Sequence, residues 1–272
     1  MPYRYAYLLV GLVLVVTVIG FWPTYFAKLD SVYGAFLYHG LTATAWIVLV
    51  GFQSWSIHHR ARVLHRKVGM LSLLLFPLLI ASFVMIINVS ASRFLKGDSQ
   101  FWQQFGPIFG YIMVTAITAY LVLFFQALRH RRNVYLHAGY MLATPFMLWE
   151  ASFGRVLNQY VPPFQIGGPE ELHKVMDNIV ISDMMAVALA SFLYLRNRKH
   201  GTPFLVVAAL LLAQIGGIYL LDEALWLREL FTSYGQLSQE VTVGTGFVLG
   251  ALIAWLGWTK PFEPQGLLSS RQ

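Results

Sequence analysis

An all-α, polytopic bundle of membrane-spanning helices is the fold class this sequence predicts, on three observations. Apolar residues make up 57% of the 272 residues and charged ones 11%, too few charges to clothe a soluble domain of that length. The apolar residues fall in runs near the roughly 20 that a helix needs to cross a bilayer. The basic residues gather in alternate turns between those runs, as the positive-inside rule requires. The net charge of +7 therefore points to anionic lipid headgroups and away from nucleic acid. The absence of cysteine excludes disulfides, thiolate metal sites and iron–sulfur clusters.

Eight runs qualify as spans, at about 5–27, 33–56, 68–89, 105–128, 137–158, 175–195, 203–221 and 238–258. The first is too long, and Tyr25 too bulky, for a signal peptide with its small-residue cleavage site, so it reads as a retained span. Pro23 and Pro145 lie inside spans and predict kinks. The longest outer loops, near 90–104 and 159–173, include Pro162-Pro163 and Gly167-Gly168-Pro169, irregular caps rather than a second domain. Residues 221–235 read either as an extension of the seventh span or as a surface helix. Residues 1–272 thus form a single integral-membrane domain, with no internal repeat.

Eight spans put both termini in the cytoplasm. That side then collects Arg4, Arg60, Arg62, Arg66, Lys67, Arg129, Arg131, Arg132, Arg196, Arg198, Lys199, Lys260 and Arg271, against Glu263 alone. Lys28, Arg93, Lys96, Arg155, Lys174, Arg228 and the other acids fall toward the outside.

Polar residues within the spans are the candidate functional groups, because lipid offers them no hydrogen bonds. His39, Trp46 and Gln53 recur every seven residues on the second span and drift by only about 40° around it, so they share a face that Thr42 adjoins. Thr115, Thr118 and Gln126 form a similar stripe on the fourth span. Interhelical hydrogen bonding accounts for such stripes as well as ligand binding does. Toward the outside, His39, Glu150, His173 and Asp177 form a candidate metal set, although the His173–Asp177 spacing matches no established zinc motif. Arg155 offers Glu150 a counter-charge, and Asp183 lies about 120° around the helix from Asp177. Toward the inside, His65 and His137 precede the third and fifth spans, with Met141 one turn further. They suit a lipid phosphate beside Arg62, Arg66 and Lys67, or the two faces of one haem b. His58, His59, His130 and His200 read as solvated interfacial residues.

Several of these residues carry a resemblance. The run from Gly20 to Phe26 (GFWPTYF), then His39, Gln53, His65-Arg66 with Gly69, His137 with Tyr140-Met141, and Arg155 resemble a family of multi-pass bacterial inner-membrane proteins of unknown function. The resemblance covers roughly residues 15–160. More distantly the chain is similar to haem–copper oxidase maturation proteins and to transmembrane b-type cytochromes, although its fourth span has no histidine to pair with His39. The resemblance implies a bacterial cytoplasmic membrane and a haem or divalent-metal connection.

The leading expectation is a haem- or metal-associated protein of electron transfer or respiratory-complex assembly, with a respiratory complex as partner. His65, His137 and Met141 would hold the cofactor. A proton-coupled transporter, with His39, Gln53, Glu150 and Asp183 along its path, is the alternative. A lipid metallohydrolase built on His39, Glu150, His173 and Asp177 is the third. A purely structural subunit would show its polar stripes fully paired.

Overall fold

The computed structural model describes residues 3–260; Glu263 and Arg271 lie outside the described residues. Among those residues all regular structure is helical: α1 (Ala6–Phe21), α2 (Gly34–His58), α3 (Arg62–Gly69), α4 (Leu71–Lys96), α5 (Gln100–Arg129), α6 (Val134–Ala143), α7 (Phe146–Tyr160), α8 (Lys174–Arg196), α9 (Thr202–Leu221), α10 (Leu225–Gly235) and α11 (Gln239–Thr259), with short 3-10 turns between some of them. Six helical stretches are long and apolar enough to cross a membrane: 34–58, 62–96, 100–129, 169–196, 202–221 and 239–259. The apolar helix α1 is shorter, at 16 residues.

The two prolines expected to kink spans do more than that. Proline has no N–H to donate to the turn before it, and α1 ends at Phe21, with Trp22 still helical at its C-cap and donating to the Ile19 carbonyl just before Pro23. Pro145 splits the expected fifth span into α6 and α7, because proline lacks an N–H and clashes with the carbonyl four residues back. Thr144 repairs the break. Its N–H and its hydroxyl donate to the Met141 carbonyl at 3.3 and 2.8 Å, while its Oγ1 accepts from Trp46 Nε1 at 2.9 Å. By contrast, Pro77 and Pro107 sit inside α4 and α5, which run on through them.

Helix ends follow local chemistry. Asn133 caps α6 by accepting from the Tyr135 and Leu136 N–H groups at 3.2 and 3.3 Å, the ordinary use of asparagine before a first turn. α4 stops at Gly97, whose φ of 65° is the left-handed conformation that glycine supplies without strain. Residues 225–235 form a separate short helix, α10. It buries Leu227 and Phe231 and leaves Leu225, Trp226 and Leu230 exposed, so it is a surface helix rather than an extension of α9.

The core is aromatic at its centre. Trp46, Phe76, Tyr120 and Phe124 are essentially buried, with Phe76 stacked on Phe124 at 4.1 Å and Trp46 5.3 Å from Phe124. Elsewhere the helices meet through small residues. The buried residues of α11 are Gly246, Gly250, Ala254 and Gly257, spaced to lie on one stripe against α4 and α5, so that backbones approach closely without a bulky side chain between them.

The basic turns converge on one end of the bundle. Arg131 stacks on Trp258 at 4.8 Å, joining the α5–α6 turn to the end of α11. Tyr135 stacks on His200 at 4.2 Å, joining the start of α6 to the α8–α9 turn. Arg4 and the α2–α3 turn line one shallow pocket. At other inter-helix loops acidic and basic residues are mixed, with Arg93 and Asp98 3.7 Å apart and Lys174 and Glu171 at 2.6 Å.

Candidate functional site

At the basic end, α2, α3, the start of α4, α6 and the last turn of α11 enclose a cavity of about 730 Å3. That volume is in the range of cofactor and drug-sized ligand sites. Its apolar wall includes Leu49, Val50, Leu73, Leu142 and Trp258. Its polar groups include Gln53, His65, Arg66, Lys67, Arg131 and His137, and Met141 completes the set singled out in the sequence. The two imidazoles are near enough for their charges to interact. Topology alone gave them equal depth; the fold makes them neighbours. It does so by turning the basic segment into the amphipathic helix α3, which leaves Arg62, Arg66 and Lys67 exposed while His65 faces the bundle half-buried.

Hydrogen bonds distinguish the two histidines. His137 Nδ1 lies 2.8 Å from the Ala127 carbonyl, so Nδ1 carries the proton and Nε2 keeps its lone pair. A carbonyl that fixes the tautomer in this way is how metal-binding imidazoles are commonly oriented. His65 is held differently. With the Gln53 carbonyl accepting from the Gly69 N–H at 3.0 Å, the Gln53 NH2 donates to His65 Nδ1 at 2.6 Å and to the His65 carbonyl at 3.0 Å. The backbone carbonyl of Gln53 is also 3.2 Å from Nδ1, but the amide arrangement is shorter and satisfies three groups at once. His65 Nδ1 is therefore an acceptor and Nε2 an N–H donor. The pocket combines one imidazole suited to ligate and one suited to donate.

The stripe on α2 faces the bundle along its whole length. His39 Nδ1 pairs with Ser82 Oγ at 3.2 Å, Thr42 shares that hydroxyl at 2.8 Å, Trp46 bonds Thr144, and Gln53 closes on His65. The α5 stripe divides. Thr115 donates to Gln214 Oε1 at 2.6 Å, whereas Thr118 is exposed and bonds its own helix at Val114.

The outer candidates separate into two places. His173 and Asp177 are exposed at the start of α8. Glu150 and Asp183 are buried between helices, each accepting from Gln214 Nε2. Among the described residues no group of three or more His, Asp or Glu stands where it would hold a metal ion. The turn between Asp177 and Asp183 accounts for part of that separation, since it aims one at the surface and the other inward. Nor does Glu150 form an ion pair with Arg155, whose guanidinium instead donates to the Ala151 carbonyl at 2.8 Å and lies 4.1 Å from the Phe21 ring. Sequence reasoning passed over Gln214. A glutamine midway through the otherwise apolar α9 was the available signal, by the same expense argument that singled out Glu150.

No family model, curated protein or solved structure matches this chain.

Proposed function

We propose that the chain is a haem-associated integral membrane protein that works in electron transfer or in assembly of a respiratory complex. The observation that carries this reading is that His65, His137 and Met141 line one cavity of about 730 Å3 at the basic end of the bundle. The donor set fits an iron porphyrin at His137, whose Nε2 is free to ligate. Arg66, Lys67 and Arg131 supply cations for propionates. A haem bound there would supply one-electron chemistry. His65 offers an N–H donor on the same cavity, and for it to ligate through Nε2 the Gln53 amide would have to turn away.

The reading includes an arrangement in the membrane. Eight crossings are inferred: the six long helical stretches, α1 with its flanking turn, and α6 with α7 taken together. The basic end faces the cytoplasm of a bacterial cell, against anionic headgroups, with both termini on that side.

Protein purified in mild detergent is expected to show a Soret band that shifts on reduction. His137→Ala is expected to lose it, and His65→Ala to retain it with a shifted maximum. Protein with no Soret band, and whose tryptophan fluorescence is not quenched by added haemin, would remove the haem. A second reading rests on the Gln53–His65 contact. An N–H donor beside Arg66 and Lys67 also suits the phosphate of a lipid, which would be found as a stoichiometric co-purified phospholipid in protein free of haem.

A further inference from the structure

The pair of buried acids belongs to a different part of the bundle from the histidine cavity, and its geometry has its own consequence. Glu150 is 5% exposed, and Asp183 and Gln214 are fully buried. Thr115 donates to Gln214 Oε1, which fixes the amide so that its nitrogen faces the acids. That nitrogen then donates to Glu150 Oε2 at 2.5 Å and to Asp183 Oδ2 at 2.8 Å. The carboxyls are neighbours that interact with each other as well as with the shared amide. Two carboxylates gathered on one amide in an apolar interior repel each other, which favours a proton on one of them. Asp183 Oδ1 has no hydrogen-bond partner although it is buried, so it is an oxygen on which a proton can rest without disturbing the amide bridge.

The charges agree with one proton. Arg155 is near enough to interact electrostatically with Glu150 and with His39, and has no carboxylate within ion-pairing distance among the described residues. One proton on the pair leaves a single negative charge for Arg155 to balance, and a low-dielectric interior strongly favours that neutrality. Groups facing the pair from its other neighbours are neutral: Thr115 from α5 and Gln214 from α9. Arg155 itself keeps more than a third of its surface accessible, with its guanidinium over the Phe21 ring of α1, so a positive charge that interacts with Glu150 also reaches the surface.

We propose that Glu150 and Asp183, spanned by the Gln214 amide, form a membrane-buried proton-binding site that loads and unloads from the side of the bundle on which Arg155 is exposed. A metal cation is disfavoured there because Gln214 turns N–H rather than oxygen toward the site, leaving too few oxygen ligands. The proposal does not depend on haem at the other end.

A hydrophobic carbodiimide, which adds only to protonated carboxyls, tests it on the full-length protein in lipid nanodiscs, with the product located by peptide mass spectrometry. About one adduct per chain is expected, on Glu150 or Asp183. The double variant Glu150→Gln/Asp183→Asn should abolish it, because the pair then has no carboxyl to modify. No adduct in the folded wild type, undiminished labelling in the double variant, or suppression by sodium but not potassium would each overturn the proposal. The wild type alone gives a second measurement that no misfolded variant can confuse. A protonated-carboxyl infrared band that shifts in D2O supports an exchanging site. An absent band, or one that does not shift, refutes it.

Discussion

Gln214 shows how much a single polar side chain decides in an apolar interior. It accepts from Thr115 and donates to two acids on different helices, so truncation strands several buried groups at once. An unsatisfied buried group costs about 1–3 kcal/mol. Gln214→Leu is therefore expected to destabilise the protein by at least that much, read as a lower thermal unfolding midpoint in detergent; an unchanged midpoint would show that the acids find other partners. Trp46 makes the same point more mildly. Trp46→Phe keeps the ring among Phe76 and Phe124 but leaves Thr144 without its donor, a loss of about 1 kcal/mol, to be seen in the same assay. In the turn that precedes α8, Glu171 accepts from the Gly167 N–H at 2.7 Å and from Lys174 Nζ at 2.6 Å. The lysine hydrogen bond, more than the backbone one, holds its carboxyl below the ordinary value. The stability it lends the loop is thus complete above the usual carboxylate range and disappears as pH falls through the lowered value. Its side chain keeps 34% of its surface exposed, and screening by that solvent keeps the contribution small.

Among the elements, α11 and α3 differ most in how they are held. α11 docks through glycines: a Cβ at Gly250 would come within 2.9 Å of the Pro77 Cα, and one at Gly246 within 2.7 Å of Val84. Lipid is as apolar as leucine, so close backbone packing rather than hydrophobic burial holds this helix. Gly250→Leu is expected to part α11 from α4, at an overpacking cost of about 1–3 kcal/mol or more. The expected readout is lost disulfide cross-linking between cysteines placed on those two helices; retained cross-linking would mean that α4 can yield. α3 is held by its polar side, through Gln53 on His65 and Gly69. Gln53→Leu should free His65 to reorient while leaving His137 fixed by Ala127. In haem-reconstituted protein it is expected to change the Soret maximum and not the haem content.

For the whole molecule, the meeting of all the basic turns at one end makes a prediction about direction. Because the chain has no cysteine, single introduced cysteines report topology without background. Arg198→Cys in the α8–α9 turn is expected to react only with reagent admitted to the cytoplasm, and Glu170→Cys only with impermeant reagent from outside. The reverse pattern would invert the bundle. Helix class, apolar runs and the clustering of charge were legible from the sequence, because each depends on composition within a turn or a run. So was the inward face of His39, Trp46 and Gln53, since helical periodicity is local geometry. The broken span at Pro145 was foreseen only as a kink, because its depth depends on Thr144 meeting Trp46 from another helix. What only the tertiary structure decided is which polar groups share a pocket. His65 and His137 do, His173 and Asp177 stand apart from Glu150, and Gln214 joins two acids that the chain separates. Hydrogen bonds in an apolar interior are made between helices far apart in sequence, and their partners are chosen by packing that no periodicity records.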